Sequence, residues 1–246
     1  MIENKILAQK NIENLIDLWK TASIPFNNYF SSSFFNYSFV QHSDWPNRLW
    51  FNKPVTQKLL DLANKELKKL PNNMTIPYWQ NSNQNESALF EINKFNLKFE
   101  QTAMSLPLEN LFIVEQRISL VQVNSENKAA LFAAKYPKAF GYSISKGTLL
   151  NTYESIEYFL AYDGDQIVGT VIVYQTNQTF GIHGLGILPE MRKKGYAEEI
   201  MKLLINKAIE NCSKNVSLQA SVMGKHLYQK LGFQELFVIR NYAKSL

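Results

Sequence analysis

Residues 184–199, GLGILPEMRKKGYAEE, combine an apolar run, a proline, three consecutive cations, a glycine and an acidic segment in that order. Apolar residues recur at helical spacing after Gly195, so the pattern predicts a strand that ends at Pro189, a short loop, and a helix. Cations at the start of a helix oppose its dipole, and Glu198 and Glu199 already supply the acidic charge favoured there. First-turn N–H groups are unpaired, and a glycine lets an anion approach them closely. The stretch therefore predicts a phosphate-binding loop rather than the solvated start of a surface helix.

This loop does not match two standard phosphate-binding motifs. A Walker loop needs the pattern Gly-x-x-x-x-Gly-Lys-Ser/Thr, and that spacing does not occur in the sequence. Gly184 and Gly186 resemble the start of a dinucleotide fingerprint, but no third glycine follows and Pro189 prevents a helix there. The predicted anion site is therefore of another kind.

The composition is typical of an ordinary soluble globular protein. Of 246 residues, 46% are hydrophobic and 19% are charged, which argues against a disordered chain. No apolar run approaches the ~20 residues that cross a bilayer, and the N-terminal stretch is amphipathic and interrupted by charges. We therefore expect no membrane span, no signal peptide and a cytoplasmic location. The net charge of +5 comes mostly from scattered cations, which disfavours a nucleic-acid surface. The single cysteine, Cys212, excludes an internal disulfide and a cysteine-cluster metal site, and we expect no metal.

The second half of the chain shows a regular order of predicted elements. The strand RISLVQV is followed by the helix SENKAALFAAKY, with Ser125 as its N-cap. IEYFLAY and QIVGTVIVY form a hairpin around the Asp-Gly-Asp of residues 163–165, and TFGIHGLGIL is the next strand. After the helix that starts near Gly195 come the strand VSLQA, the helix GKHLYQKL with Gly232 as its C-cap, and a final strand. The order β-α-β-β-β-α-β-α-β predicts a mixed sheet with helices on its faces.

Two segments of this half carry a family resemblance. GLGILPEMRKKGYA resembles the acetyl-coenzyme A signature of the GNAT superfamily of N-acetyltransferases, in which a strand and a proline precede Arg/Gln-x-x-Gly-x-Gly/Ala. LQASVMGKHLYQKLGF is similar to a second motif of that family, a strand followed by a helix with Leu-Tyr-x-Lys-Leu-Gly-Phe. The order and spacing of both motifs agree from Ile118 to Tyr242.

The resemblance implies acetyl-coenzyme A as co-substrate and assigns its binding residues. The strand before the loop is expected to be bulged, to splay from its neighbour and to pair its free backbone groups with pantetheine, while loop amides hold the pyrophosphate. An N–H near Ile187 would face the thioester oxygen. The residues so implied are Leu185, Gly186, Ile187, Arg192, Lys193, Lys194, Gly195, Tyr196, Ala197 and Glu198.

The resemblance also suggests two catalytic residues. Tyr228 is the expected general acid, since a tyrosine can protonate a leaving thiolate; the alternative is a tyrosine packed under the final strand. His183 is the candidate general base, because histidine titrates near neutral pH, and the alternative is a structural histidine. Cys212, four residues after Ala208, is expected to be a buried structural thiol. Direct attack of the amine in a ternary complex is therefore the expected mechanism.

The first half of the chain is harder to interpret. We divide the chain into residues 1–112, a degenerate GNAT-like or cap domain, and residues 113–246, the GNAT domain that binds acetyl-coenzyme A. A helix is predicted from Asn4 to about Lys20, and NNMTIPYWQNSNQNES is predicted to be polar and rich in turns. No glycine precedes Gly141, so a first-half GNAT domain would lack the cofactor loop. This half is expected either to shape the acceptor pocket or to complete the sheet.

The expected fold class is α/β of the α+β type, a mixed, mostly antiparallel sheet flanked by helices, with tandem GNAT-like halves. The expected function is acetyl transfer to a primary amine of a small molecule, amino acid or peptide. The alternative is a catalytically silent acyl-coenzyme A-binding or sensor protein. We expect no nucleic-acid or membrane partner, and the oligomeric state is left open, with a homodimer among the alternatives.

Overall fold

The computed structural model describes residues 2–79 and 85–244. Its helices are α1 (Ile2–Ser23), α2 (Gln57–Leu67), α3 (Asn85–Ile92), α4 (Glu126–Phe140), α5 (Lys146–Thr152), α6 (Tyr196–Glu210) and α7 (Lys225–Lys230). Its strands are β1 (Tyr29–Ser31), β2 (Phe35–Ser38), β3 (Arg48–Phe51), β4 (Ile76–Trp79), β5 (Phe95–Pro107), β6 (Ile118–Gln122), β7 (Glu157–Asp163), β8 (Gln166–Thr176), β9 (Thr179–Ile187), β10 (Asn215–Ala220) and β11 (Gln234–Lys244). Every helix and strand predicted for the second half is present.

The strands form one large sheet and one small sheet. The large sheet has the order β4-β11-β5-β10-β9-β8-β7-β6, and the small sheet has the order β1-β2-β3. Neighbours in the large sheet are antiparallel except for β9 and β10, which are parallel. This arrangement confirms the predicted mixed, mostly antiparallel sheet flanked by helices.

Strand β5 of the first half lies in the interior of the large sheet. It pairs with β10 through Ser105 and Ser217 and with β11 through Ala103 and Phe237. The first half therefore completes the sheet of the second half, and residues 1–112 and 113–246 share one set of backbone hydrogen bonds. The division at residue 112 does not separate two independent sheets.

The parallel strands β9 and β10 separate after a short paired segment. Their pairing runs from Thr179 and Asn215 to Gly181 and Ser217 and ends there. On the other side of β9, the register with β8 is interrupted between Thr170 and Ile172, opposite Gly184 and Leu185. Gly184 has φ of 52°, a conformation that glycine adopts without steric cost. The bulge turns β9 away from β10 and opens a gap between the strand ends.

Helices cover both faces of the large sheet. On one face, Ile200 and Leu204 of α6 share a core with Val171 of β8. On the opposite face, Leu18 of α1 and Phe132 of α4 belong to a second core. Each of these five side chains is at most 1% exposed, so each contributes about 1.5–3 kcal/mol through burial. Within residues 2–79 and 85–244, no helix combines the length and apolar character needed to cross a bilayer.

Several local predictions are confirmed and others are wrong. Ser125 caps α4 by accepting from the Lys128 N–H, as predicted. Gly232 has φ of 93° but lies one residue beyond the C-cap of α7, Leu231.

The prediction of a buried Cys212 is wrong, because α6 ends at Glu210 and the thiol is exposed. Helix α5 was not predicted. The stretch 72–87, predicted to be rich in turns, contains β4, and its residues 80–84 lie outside the described residues.

Candidate functional site

A cleft of about 620 Å³ lies where the two halves of the chain meet. This volume is within the range of small-molecule sites. The second half contributes the bulged part of β9, the end of β10 and helix α7, and the first half contributes β3, β5 and nearby loops. Its lining includes Gly184, Leu185, Gln219, Tyr228, Arg48 and Glu100. The β9 bulge and the predicted general acid therefore face a common space.

Tyr228 lies on α7 and faces this cleft. Its ring packs edge-on against Phe233, with ring centroids 5.8 Å apart. Burial raises the pKa of the Tyr228 hydroxyl to about 12, so the group stays protonated at neutral pH. No residue in the described part of the chain forms a hydrogen bond with this hydroxyl. Tyr228 thus has a proton and no competing acceptor, and its role as general acid stays a prediction.

The cationic loop leads into the N-terminus of α6. A short 3-10 turn, Pro189–Met191, precedes it, and Lys193 and Gly195 have φ of 62° and 82°. Gly195 is the N-cap and offers no side chain to the first-turn N–H groups. A Cβ placed on Gly195 would find its closest neighbour, Arg117 Nη2, 3.6 Å away, so the backbone is open to an approaching group. The geometry fits a bound pyrophosphate of coenzyme A.

A buried carboxylate holds this loop in place. Glu199 Oε1 accepts from the backbone N–H groups of Arg117 at 2.7 Å and Ile118 at 2.9 Å. Glu199 Oε2 accepts from Arg117 Nε at 2.9 Å and forms an ion pair with Arg117 Nη2 at 2.8 Å. Arg117 Nη2 also donates to the Lys194 carbonyl at 3.5 Å. Neither residue was predicted as part of the site, although Glu199 stands inside the motif.

Two side chains of the cofactor motif are bound within the protein. The Tyr196 hydroxyl donates to Asp163 Oδ2 at 2.6 Å, and Glu198 forms ion pairs with Lys202 at 2.9 Å and Lys230 at 2.8 Å. These lysines lower the pKa of Glu198. Ala197 is half-buried beside them. In this segment the backbone amides are free for a ligand, whereas the side chains of Tyr196 and Glu198 anchor the helix.

The remaining predicted cofactor residues lie on either side of the 3-10 turn. Gly186 pairs with β8, and a Cβ there would overlap the Phe140 ring, so only glycine fits. The Ile187 carbonyl accepts from Arg192 Nε at 3.2 Å, and Arg192 Nη2 donates to Ala139 at 3.4 Å. The side chains predicted to surround the pyrophosphate, Arg192, Lys193 and Lys194, are exposed.

His183 lies on β9 but does not line the cleft. It is 8% exposed, and its Nδ1 and Nε2 lie 3.0 Å from Gln219 Oε1 and 2.9 Å from Asn14 Oδ1. Burial lowers its pKa to about 4, so the imidazole is neutral at pH 7. A neutral ring has one N–H and donates to one of the two amide oxygens. Both ring nitrogens therefore face protein side chains, and the role of His183 as general base stays a prediction.

Helix α1 closes the gap between β9 and β10 with two buried asparagines. Asn11 Nδ2 donates to the Met104 carbonyl at 3.0 Å and to the Leu218 carbonyl at 3.2 Å, and Gln219 Nε2 donates to Asn11 Oδ1 at 2.8 Å. Asn14 Nδ2 donates to the carbonyl of Tyr174 at 2.9 Å. These amides bind backbone groups that strand pairing leaves free. The sequence analysis did not identify Asn11 and Asn14 as functional residues. The feature that could have indicated them is the presence of two asparagines, three residues apart, on an otherwise apolar helix face.

Comparison with known proteins agrees with this description. Residues 154–235 match the family model described as "Acetyltransferase (GNAT) domain". No curated protein matches the sequence. Among solved structures, the chain is similar to a GCN5-related N-acetyltransferase from Kribbella flavida, with a TM-score of 0.68 and 11% identity over 99% of this chain and 95% of that one. It is also similar to a GCN5-related N-acetyltransferase from Sphaerobacter thermophilus, with a TM-score of 0.64 and 14% identity over 85% and 76% of the two chains.

A third similar structure matches parts of both halves of the chain. It is a tandem GNAT protein from the clavulanic acid biosynthesis pathway, with a TM-score of 0.53 and 9% identity over 85% of this chain and 77% of that one. At these identities the structural likeness establishes the fold alone, and a GNAT-like first half fits it. Fold and family model together define a GNAT acetyltransferase domain in the second half. A GNAT domain is therefore shown for residues 154–235, and the chain as a whole shares the fold of GNAT proteins.

Proposed function

We propose that this protein is an acetyl-coenzyme A-dependent N-acetyltransferase that transfers an acetyl group to a primary amine by direct attack in a ternary complex. The observation that carries the proposal is the shared cleft, which the β9 bulge at Gly184 and Leu185 lines together with Tyr228. Backbone groups of a bulged strand can hold an extended arm, and the phenol can protonate a leaving thiolate.

Each part of the site has a separate task in this proposal. Acetyl-coenzyme A, when bound, supplies an activated acetyl group as a thioester. The amides from Lys193 to Glu198 bind its pyrophosphate, with Glu199 and Arg117 keeping the loop in shape. Tyr228 delivers a proton to the sulfur as the bond to the acetyl group breaks. The site thereby separates cofactor binding at the loop from proton transfer in the cleft.

In this mechanism we propose a positioning role for His183, in place of the general-base role that the resemblance suggested. Both of its ring nitrogens are within hydrogen-bond distance of Gln219 and Asn14, so it links β9, β10 and α1 at the gap between the two strands. A general base must reach the proton that it removes, directly or through one water. Water in the cleft is therefore the first acceptor of the ammonium proton in our proposal.

The proposed function is tested by Gly195→Glu. The new carboxylate repels the pyrophosphate and fills the space that glycine leaves open, so acetyl-coenzyme A affinity in isothermal calorimetry should be lost. Asn211→Glu, at the other end of α6, adds the same charge to the same helix and should leave affinity unchanged. Normal binding by Gly195→Glu would show that the loop is not the cofactor site.

A second measurement distinguishes the proposed enzyme from a protein that binds acyl-coenzyme A without catalysing a reaction. Wild-type protein is given acetyl-coenzyme A and a panel of primary amines, and release of the free thiol is followed. Release that depends on the amine supports the enzyme. Tight binding without release for any amine supports the silent acyl-coenzyme A-binding or sensor protein instead.

A further inference from the structure

Arg48 brings a positive charge into the cleft without a carboxylate partner. Its Nη1 donates to the Asn47 carbonyl at 3.1 Å, and its guanidinium lies 5.9 Å from the centroid of the Trp19 ring. Within the described ranges, no ion pair joins Arg48 to a carboxylate. The side chain keeps some exposure at the cleft, yet protein atoms surround the guanidinium and lower its pKa. A guanidinium that is removed from water and has N–H groups without acceptors destabilises the protein, unless an anion binds and accepts hydrogen bonds from those groups.

The backbone around Arg48 is held firmly. Arg48 is the first residue of β3, pairs with Ser38 of β2, and forms a parallel bridge with Thr75. The Leu49 N–H donates to the Thr75 carbonyl at 3.0 Å, and the Thr75 N–H donates to the Asn47 carbonyl at 3.1 Å. Hydrogen bonds therefore fix the backbone that carries the guanidinium, and this backbone needs little further ordering when a ligand binds.

The two carboxylates that line the same cleft are bound to other groups. Asp44 accepts from the N–H of Ser143 at 2.7 Å and from its hydroxyl at 2.6 Å, and these hydrogen bonds lower the pKa of Asp44. Glu100 forms an ion pair with Arg240 at 2.8 Å. Two carboxylates near one unpaired guanidinium disfavour a dianion such as a phosphate monoester. They favour a monoanion on a molecule that also carries a positive charge.

We propose that the acceptor is a primary amine that also carries a carboxylate group, and that Arg48 binds this carboxylate through paired N–H donors. The inference rests on the proposed function and names the substrate class of the same site. A guanidinium matches a carboxylate with two parallel hydrogen bonds. Leu185 and Tyr228 line the same cleft as Arg48, so the amine of a molecule held at Arg48 shares that cleft with the proposed general acid. Arg48 is then the specificity residue that the first half contributes.

The test uses matched pairs of amines. Each α- or ω-amino acid is compared with the amine that lacks its carboxylate, and kcat/KM is obtained from thiol release. The wild-type protein should prefer the carboxylated member by roughly 30-fold or more. Arg48→Met should remove this preference while the acetyl-coenzyme A affinity and the turnover of the plain amine stay unchanged. Arg48→Lys, which keeps the charge but not the planar donor pair, should retain part of the preference.

Control measurements separate recognition from folding. Lys69→Met removes a cation outside the cleft, ion-paired with Glu66 at 2.9 Å, and should keep the full preference. The apparent Tm of Arg48→Met without ligand should be unchanged or higher, because an unpaired desolvated charge is lost. A lower Tm for that variant indicates a structural arginine and overturns the inference.

The remaining outcomes distinguish this inference from the proposed function. If plain amines are acetylated as well as carboxylated ones, or if Arg48→Met slows both members equally, the inference is wrong and the proposed function stands. Weaker acetyl-coenzyme A binding by Arg48→Met also overturns it, since Arg48 would then contact the cofactor. Failure of the wild-type protein to bind acetyl-coenzyme A or to acetylate any amine refutes the proposed function and the inference with it.

Discussion

Glu199→Gln removes the charge that ties the cationic loop to the start of β6. The glutamine oxygen can still accept from the backbone N–H groups of Arg117 and Ile118, which lie 2.7 and 2.9 Å from Oε1. Its amide nitrogen, however, would face the Arg117 guanidinium where Oε2 now accepts at 2.9 Å. A donor then faces a donor, and a charge-assisted contact of a buried carboxylate is lost.

The expected loss of stability follows from these contacts. Hydrogen bonds to a charged group contribute about 1.5–3 kcal/mol, and Glu199 is only 7% exposed, so solvent replaces little of this. We expect the free energy of unfolding to fall by about 2–3 kcal/mol, which lowers the Tm of a chain of this size by roughly 5–10 °C. Acetyl-coenzyme A affinity should fall as well, because Arg117 no longer holds the Lys194 carbonyl.

The neighbouring residue provides the control. Glu198→Gln removes a carboxylate whose ion pairs with Lys202 and Lys230 lie near the surface, and it should cost less than about 1 kcal/mol. Urea unfolding of both variants, followed by calorimetric titration with acetyl-coenzyme A, gives both quantities. Equal destabilisation by the two substitutions, or an unchanged affinity in Glu199→Gln, would refute the assignment of Glu199 as the anchor of the loop.

Three further substitutions test other parts of the site. Tyr228→Phe should lower kcat by about 100-fold or more with the acetyl-coenzyme A affinity unchanged in calorimetry, and an unaltered kcat removes Tyr228 from the mechanism. Because the folded-state pKa of His183 is about 4, below the usual value, the unfolded chain binds a proton at pH 5 that the folded chain does not. The free energy of unfolding should therefore fall by about 2 kcal/mol from pH 7 to pH 5 because of this residue. Urea unfolding at the two pH values should show that this decrease is absent in His183→Asn and still present in His226→Asn. Gly181→Ala would place a Cβ against Asn14 and His183 and should cost roughly 3 kcal/mol in the same assay. A Cβ at Gly147 would make only an ordinary contact with Ser145 Oγ, 3.7 Å away, so Gly147→Ala should cost nothing; equal effects would contradict the packing at Gly181.

Local patterns in the sequence predicted most of the second half. The strand-loop-helix around Gly195 and the hairpin at residues 163–165 follow from turn chemistry and hydrophobic period, which act over a few residues. Cys212 was misplaced because helical spacing continued past the point where α6 ends at Glu210. Helix α5 was missed, although the N-cap hydrogen bond from Thr148 N–H to Ser145 shows the signal that was available.

The position of the first half could not be read from local patterns. Strand β5 looks like an ordinary strand in the sequence, and its place between β10 and β11 depends on pairing with residues far along the chain. The same holds for Asn11 and Asn14, whose partners are backbone carbonyls of distant strands. The sequence around a polar residue on an apolar helix face does not indicate which distant backbone groups its side chain will bind.

By itself, the sequence determined the strand-loop-helix around Gly195 and the order of elements around it, because a helix start and a glycine at positive φ are set by neighbouring residues. Only the tertiary structure decided that β5 completes the sheet, that His183 is buried between amides, and that Arg48 faces the same cleft as Tyr228. These outcomes arise from contacts between residues distant in the chain, where burial and pairing determine which charges stay unpaired and which groups a substrate meets.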